Sequence, residues 1–288
     1  MLNRGLVESR TLAQKLIMAG EVRVNGNMII KPSQQFTEDA EITIDNGPQF
    51  VSRGGEKLLG ALRAFDLMDV GGAVCADVGA STGGFTDCLL QHGASKVYAI
   101  DVGYGILHWK MRNDPRVISM EKTNARDVKL LPERIDLAVC DASFISLRIL
   151  LPVICNWFQG EPGRLITLIK PQFEAGKEEA AKGQGVIRDP NVHRSVLETV
   201  LQSAMEFGYE CRGLVKSPLL GPKGNVEFLA DLRYPGGRFD IRQLTEKAMG
   251  LGGEASSVFR RWRQLLPSNE VRVYAAGFSF RLLQKHSL

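Results

Sequence analysis

Residues 74–92 read VCADVGASTGGFTDCLLQH, and this stretch decides the fold. The apolar run from Val74 to Val78 predicts a buried strand, and the segment from Thr86 to His92 predicts a helix. The glycines between them permit a tight turn and a close approach of the backbone to a ligand, while the N-terminus of the helix adds oriented N–H donors. A strand, a glycine-rich turn and a helix in direct succession indicate an α/β sheet.

Further apolar runs along the chain have the character of buried strands. They are Lys96 to Ile100, Leu137 to Val139, Leu165 to Ile169 and Phe228 to Leu232. Helical patterns lie between them at 147–157 and 192–207, as expected for a parallel sheet with crossover helices. The sequence therefore predicts a doubly wound, Rossmann-like α/β domain. Residues 174–185 are rich in Gly and Lys without apolar periodicity, which predicts a mobile loop.

The first 50 or so residues have a different pattern. Ser9 is an N-cap candidate for a helix from Arg10 to Ala19, which Gly20 ends. Short alternating segments follow around an Asn25-Gly26 turn and again at residues 40–44, as in strands. This pattern predicts a small α+β unit, and Asn46-Gly47-Pro48 is a natural place for the chain to leave it for a linker.

Composition excludes several classes of protein. The chain has 288 residues, of which 44% are hydrophobic and 24% charged, as in an ordinary globular protein. It contains no apolar run of the roughly 20 residues that a membrane-spanning helix needs. Five cysteines without a C-x-x-C pair and four scattered histidines predict reduced thiols and no bound metal. We therefore expect a cytoplasmic protein that acts away from membranes.

The net charge is only +4, but it is unevenly distributed. Residues 238–288 hold nine Lys or Arg against four Asp or Glu. A basic tail is as often a solvated surface as a binding arm, so charge alone does not indicate a nucleic-acid partner.

The glycine-rich turn is followed by an acid at the end of the next strand, Asp101. A carboxylate about 20 residues after such a turn commonly binds a ribose diol, which points to a nucleoside-containing cofactor. The stretch lacks the G-x-G-x-x-G pattern of dinucleotide sites and the G-K-[ST] of a Walker loop. On residue types alone, S-adenosylmethionine, a dinucleotide and a purely structural turn all stay open.

Four polar residues stand at the ends of predicted elements. Asp141 and Lys170 directly follow apolar strands, Glu227 directly precedes one, and Lys57 lies in the segment Ser52-Arg53-Gly54-Gly55-Glu56-Lys57. Ligands of open α/β sheets bind at the carboxyl ends of strands. Two lysines and two carboxylates there suit transfer of a methyl group to a weakly acidic hydroxyl, which requires in-line placement and loss of a proton. Each residue taken alone could equally cap a loop or form a surface ion pair.

Several motifs together resemble a known family. Residues 8–26, ESRTLAQKLIMAGEVRVNG, resemble the RNA-binding domain named after ribosomal protein S4, and residues 52–58, 77–87 and 169–174 (IKPQFE) resemble TlyA-type, haemolysin-like rRNA methyltransferases. The resemblance covers residues 1–235. It implies an FtsJ-like fold that uses S-adenosyl-L-methionine to methylate the ribose 2′-hydroxyls of cytidines in ribosomal RNA. The implied partner is ribosomal RNA or a ribosomal subunit.

The resemblance also implies roles for individual residues. Lys170 would be the general base, Asp141 and Glu227 would orient the lysines, and Lys57 would tune Lys170 and the substrate. The implied cofactor-binding residues are Asp77, Gly79, Ser81, Thr82, Gly83, Gly84, Asp101 and, at the adenine, Asn124. The implied RNA-binding residues are Arg4, Arg10, Lys15, Arg23, Asn25 and Arg53.

The predicted organisation is an S4-like domain at 1–48, a linker carrying Lys57 at 49–62, a methyltransferase domain at 63–235 and a basic extension of unassigned role at 236–288. Three other functions compete with this one: a methyltransferase for a small molecule or protein, a non-catalytic RNA-binding protein, and a pore-forming haemolysin. The last lacks an amphipathic or spanning segment.

Overall fold

The computed structural model describes residues 1–44 and 48–251, and its contacts divide the chain into two units, residues 1–51 and 52–288. The Asn46-Gly47 part of the predicted linker lies outside the described residues. So does the basic tail from residue 252 onward, including the cluster at 259–263.

The first unit is a short helix and a small antiparallel sheet. Its elements are α1 (Arg10–Met18), β1 (Val22–Val24), β2 (Asn27–Ile29) and β3 (Ile42–Ile44), with strand order β2-β1-β3. The Ser9 hydroxyl accepts a hydrogen bond from Leu12 N at 3.1 Å, which is the predicted N-cap. Asn25 and Gly26 have positive φ angles of 51° and 79°, as a tight hairpin turn requires. The predicted α+β unit is confirmed.

The second unit is a seven-stranded sheet with helices. Its strands are β4 (Val74–Val78), β5 (Lys96–Ile100), β6 (Val117–Met120), β7 (Leu137–Cys140), β8 (Gly163–Ile169), β9 (Glu210–Lys216) and β10 (Phe228–Tyr234). Its helices are α2 (Gly54–Ala64), α3 (Gly84–Gln91), α4 (Trp109–Arg112), α5 (Leu147–Trp157), α6 (Pro171–Glu174), α7 (Lys177–Lys182), α8 (Pro190–Glu206) and α9 (Ile241–Met249).

The strand order is β6-β5-β4-β7-β8-β10-β9. The first five of these strands are parallel, and β10 runs antiparallel to both of its neighbours. The α/β fold class is confirmed, with one correction: Phe228 to Leu232 belongs to the antiparallel strand. A parallel crossover usually needs a helix, whereas residues 217–227 contain only a short 3₁₀ turn.

Helices cover both faces of the sheet. Alternate residues of β4 and β5, such as Ala76 and Tyr98, join the core cluster formed with α5 and α8. The intervening residues point to the opposite face because side chains alternate along a strand. Asp77 on that face bonds to Thr86 of α3, and α3 packs against α2. The sheet is therefore buried between two helical layers.

Two segments differ from their sequence-based description. Residues 54–62 of the predicted linker form most of α2, whose Leu58, Leu59 and Leu62 are buried. The prediction of a loop at 174–185 is wrong for residues 177–182, which form α7. The Lys, Glu and Ala of α7 are good helix formers, and a helix this exposed shows no apolar stripe.

A buried ion pair fastens α2 to the sheet. Arg164 of β8 donates two hydrogen bonds of 2.7 Å to the carboxylate of Asp231 of β10. The same guanidinium donates to the Phe65 carbonyl, at the end of α2, at 3.3 Å. The two side chains are only 8% and 5% exposed, so each depends on the other for its charge compensation.

We expect Asp231→Ala to destabilise the protein by about 3–5 kcal/mol, because it leaves the Arg164 guanidinium buried without a counter-ion. Guanidinium chloride unfolding measures this change. The matched control is Glu210→Ala, which removes the acid of the more exposed pair with Arg212 and should cost no more than about 1 kcal/mol. Equal losses in the two variants would contradict a special role for the buried pair.

Candidate active site

The glycine-rich loop after β4 is pressed against its neighbours. Gly79 has φ 80°, and a Cβ there would lie 2.9 Å from the Asp141 carbonyl oxygen. A Cβ on Gly84 would lie 2.3 Å from Ser52 Oγ and 2.8 Å from Gly55 N. Side chains at these positions would push the loop away from Asp141 and α2. The glycines therefore bring the loop backbone within contact distance of the elements that carry the charged residues.

Asp77 ties the end of β4 to α3. Its side chain is fully buried, and its Oδ2 accepts a hydrogen bond of 2.6 Å from Thr86 Oγ1. Burial raises the pKa of Asp77 to about 7, and the nearby Asp141 and Asp101 carboxylates push it in the same direction, while the Thr86 bond opposes them. The structure thus shows Asp77 supporting the loop from the protein interior.

Asp101 closes the other side of the loop. Its two carboxylate oxygens accept hydrogen bonds from Ser81 N at 2.8 Å and Gly103 N at 2.7 Å. Thr123 N donates to the Asp101 carbonyl, which brings the neighbouring Asn124 close to this strand end. Each carboxylate oxygen keeps further acceptor capacity for a hydroxyl. The arrangement fits a ribose diol held beside the glycine-rich loop.

The four predicted catalytic residues come together as two ion pairs. Lys57 Nζ lies 2.6 Å from Glu227 Oε2, and Lys170 Nζ lies 2.6 Å from Asp141 Oδ1. The Glu227 side chain is completely buried, and the two lysine side chains are about a tenth exposed. Gln172 Nε2 donates to the second oxygen of Glu227 at 3.1 Å. Buried charges are held here with their partners in place.

The sheet explains why these residues meet. Asp141 and Lys170 follow the parallel neighbours β7 and β8, so both leave the same edge of the sheet. Glu227 precedes β10, which runs the other way, and Phe228 is paired with Ile169. The start of β10 therefore lies beside the end of β8. Lys57 reaches the same edge from the second turn of α2.

Lys170 is held by two hydrogen bonds as well as by its ion pair. Beside the ion pair with the Asp141 carboxylate, its Nζ donates to Ser143 Oγ at 2.9 Å and to the Asp141 carbonyl at 3.2 Å. The amine also lies 5.7 Å from the centre of the Phe173 ring. These two hydrogen bonds and the ion pair restrict the direction of the amine.

A pocket of about 440 Å³ is lined both by the glycine-rich loop and by residues of the two ion pairs. Its walls include the loop from Gly79 to Thr82, the first residues of α2 with Lys57, Asp141, and residues 219–223. This volume is within the usual range of small-molecule sites, about 300–1,000 Å³. The glycine-rich backbone, the helix N-terminus and Asp101 suit a nucleoside-containing cofactor such as S-adenosylmethionine.

The predicted RNA-binding residues occupy different environments. Arg10 and Lys15 are exposed on α1, Arg23 is half-buried on β1, and Arg53 is exposed at the pocket of the second unit. Arg4 donates to the carbonyls of Ala40 and Glu38, and Asn25 Oδ1 accepts from Glu41 N at 2.8 Å. Arg4 and Asn25 therefore have structural contacts within the first unit.

Sequence reasoning missed several residues of the site. Ser143 and Gln172 contact the ion pairs, and residues 219–223 form one wall of the pocket. A signal for the wall was present in Gly221-Pro222-Lys223-Gly224-Asn225, a turn-forming run just ahead of Glu227. Ser143 and Gln172 had no such signal, because single polar residues after strands are common.

Within residues 1–44 and 48–251, no group of three or more His, Cys, Asp or Glu is arranged to hold a metal ion. Over the same part of the chain, no helix is long and apolar enough to cross a membrane.

We expect the stability of the protein relative to an Asp77→Asn variant to fall as the pH rises. Because the native pKa of Asp77 is about 7 rather than 3.8, the native state holds a proton here that the unfolded state has released. The stabilising contribution to the free energy of unfolding is about a few kcal/mol. It is fully present below about pH 4 and is lost as the pH rises to about 7. Urea unfolding at pH 5 and pH 8 tests this. A pH-independent difference would contradict it.

Two family models match the chain: the S4 domain over residues 1–42 and the FtsJ-like methyltransferase over residues 50–234. The chain is 45% identical over 266 residues to the 16S/23S rRNA (cytidine-2′-O)-methyltransferase TlyA of Mycobacterium tuberculosis, covering 90% of this chain and 94% of that protein. It is 42% identical over 234 residues to Hemolysin A of Brachyspira hyodysenteriae, covering 79% and 95%.

A crystal structure described as that of a candidate hemolysin from Lactococcus lactis superposes with a TM-score of 0.64 at 44% identity, covering 70% of this chain and 99% of that one. The chain therefore belongs to the FtsJ-like methyltransferase family, carries an S4 domain ahead of the catalytic domain, and uses S-adenosyl-L-methionine as its methyl donor.

Proposed function

We propose that this protein methylates the ribose 2′-hydroxyl of a cytidine in ribosomal RNA. The observation that carries the proposal is the pair of ion pairs, Lys57–Glu227 and Lys170–Asp141, beside the glycine-rich loop. The identity to the Mycobacterium tuberculosis enzyme supports the choice of ribosomal RNA and cytidine. A substrate in the ribosome places the reaction in the cytoplasm.

Lys170 is the general base of the proposed reaction. S-adenosylmethionine supplies a methyl group activated by its sulfonium, and the 2′-oxygen must lose its proton as it attacks. Lys170 Nζ takes this proton as the bond between the methyl group and the sulfur of the donor breaks. Asp141 and Ser143 hold the amine in a fixed direction, and a substrate hydroxyl can take the place of the Ser143 hydroxyl on Nζ.

Lys57 and Glu227 form the second part of the tetrad. Glu227 is held by Lys57 on one oxygen and Gln172 on the other, so its carboxylate has a single orientation. Lys57 lines the pocket next to Ser52 and the glycine-rich loop. We assign Lys57 to positioning the substrate ribose and to adding positive charge near Lys170, and Glu227 to holding Lys57.

The same proposal names the residues that hold the cofactor. Gly79, Ser81, Thr82, Gly83 and Gly84 approach the donor with their backbone, Asp101 binds its ribose diol, and Asn124 lies at its adenine. Asp77 supports this loop from inside. The proposed organisation keeps the S4-like domain at 1–48 and the basic extension from 236. The methyltransferase domain predicted at 63–235 gains α2 (Gly54–Ala64), which belongs to the second unit.

The S4 domain provides RNA affinity in this proposal. Arg10, Lys15 and Arg23 are the side chains assigned to phosphate groups, and such contacts position RNA without reading its sequence. Arg4 and Asn25 contribute through the fold of the unit, since both bond to its backbone.

The decisive experiment is transfer of tritiated methyl groups to ribosomal subunits from cells that lack the enzyme, with free ribosomal RNA as a second substrate. Methylation at the 2′-oxygen makes the adjacent phosphodiester resistant to alkali, so resistant label identifies the position and the nucleotide. No label on subunits or free RNA, despite binding of S-adenosylmethionine, would overturn the proposal.

We expect Lys170→Ala to lower the rate of methyl transfer by about 10²–10⁴-fold, because it removes the general base. Binding of S-adenosylmethionine should change little. The matched control is Lys129→Ala, at an exposed lysine of the same unit. Undiminished transfer by Lys170→Ala would remove Lys170 from the role of base.

We expect the double variant Arg10→Ala, Lys15→Ala to raise the KM for ribosomal RNA while kcat stays close to that of the wild type. Both side chains are exposed on α1, so their removal takes away charge without disturbing the core of the unit. An unchanged KM would mean that this face of α1 does not contact RNA.

A further inference from the structure

The pocket has two cations that lack carboxylate partners. Its four charged lining residues are Arg53, Lys57, Asp141 and Lys223. Lys57 and Asp141 are already paired with Glu227 and Lys170. In residues 1–44 and 48–251, no acidic side chain lies within 4.0 Å of the charged groups of Arg53 or Lys223. A pocket with two unpaired positive side chains is suited to an anion.

Lys223 is presented by a rigid turn. Its backbone is left-handed, with φ 57° and ψ 16°. The turn is fixed by the side chain of Asn225, which is only 3% exposed. Asn225 Nδ2 donates to the carbonyls of Gly185 and Pro222 at 2.9 and 3.1 Å, and its Oδ1 accepts from Ile187 N at 3.0 Å. Because these hydrogen bonds already hold the turn, binding of a ligand by Lys223 would cost little further ordering of the backbone.

The turn also lies directly against the catalytic tetrad. A Cβ on Gly221 would lie 2.0 Å from Glu227 Oε1, so the backbone of the turn touches the buried carboxylate. Gly221 N donates to the Asn225 carbonyl at 2.8 Å, which closes the turn two residues before Glu227. Lys223, two residues after Gly221, lines the same pocket as Lys57 and Asp141, and its Nζ donates one hydrogen bond among the described residues, to the Gln184 carbonyl at 3.5 Å.

We infer that Lys223, together with Arg53, binds a backbone phosphate of the RNA strand next to the ribose that is methylated. A ribose within a strand has a phosphodiester on each side, so a pocket that accepts its 2′-hydroxyl must also accommodate a phosphate. Lysine binds phosphate as a point charge, and arginine binds it through a planar fork. This inference rests on the proposed function and adds a residue that sets the position of the substrate strand.

The competing anion is the carboxylate of the methyl donor, which enters the same pocket. Contact of the turn with Glu227, which holds Lys57 of the tetrad, favours the RNA phosphate. The two assignments differ in which ligand loses affinity when Lys223 is changed.

The test compares the wild type with Lys223→Ala, Lys223→Arg and the control Lys129→Ala. Dissociation constants for a ribosomal RNA fragment are measured by fluorescence anisotropy over a series of salt concentrations, and binding of S-adenosylmethionine by calorimetry. Lys223→Ala should weaken RNA binding several-fold and lower the slope of log K against log salt by about one unit. Lys223→Arg and Lys129→Ala should keep the wild-type slope, and donor binding should be unchanged in all four proteins.

Two results would overturn the inference. One is a wild-type RNA affinity and salt slope for Lys223→Ala. The other is a loss of donor affinity with RNA affinity unchanged, which would assign Lys223 to the carboxylate of the donor. Because these readouts measure binding, they remain decisive if the wild type transfers no methyl group to ribosomal RNA, a result that would contradict the proposed function separately.

Discussion

The site depends on the antiparallel pairing of β8 with β10. This pairing places Phe228 opposite Ile169, so that the residue after β8 and the residue before β10 leave the sheet at the same edge. Lys170 and Glu227 are those two residues. Each then binds a partner from another element, Asp141 after β7 and Lys57 on α2. A change of one residue in this register would reverse the faces of the strand and separate the tetrad.

The glycine-rich loop depends on the same edge. Gly79 touches the Asp141 backbone and Gly84 touches the start of α2, so the loop that suits the methyl donor is in contact with two elements that carry tetrad residues. In the proposed reaction, these backbone contacts would set the distance between the donor and the lysines. Methyl transfer requires in-line placement of the reacting atoms, and these contacts would supply part of it.

The charges of the site are costly for stability. A buried ion needs a partner of opposite charge or hydrogen bonds to offset its desolvation. Removal of one partner leaves the other charge buried and unpaired. The structure distributes this compensation over ion pairs, the Gln172 amide and the Ser143 hydroxyl. The buried Arg164–Asp231 pair lies outside the site and holds the end of α2 against β8 and β10. The position of Lys57 thus rests on a second buried pair remote from the pocket.

Sequence by itself determined the elements whose cause is local. The strand, glycine turn and helix at 74–92, the capped helix after Ser9 and the Asn25-Gly26 turn follow from periodicity and backbone preferences that act over a few residues. The candidate residues Asp141 and Lys170 could be found because they directly follow apolar runs that end at one edge of a parallel sheet.

Tertiary structure alone decided how these parts combine. The reversed direction of β10, the helix in the segment taken for a linker, and the partners of each lysine depend on pairing between residues far apart in the chain: Lys57 and Glu227 are separated by 170 positions. The same holds for Ser143, Gln172 and Lys223, whose roles come from what the fold brings beside them. Local patterns specify elements, whereas long-range register and packing specify contacts, and the chemistry of this site consists of contacts.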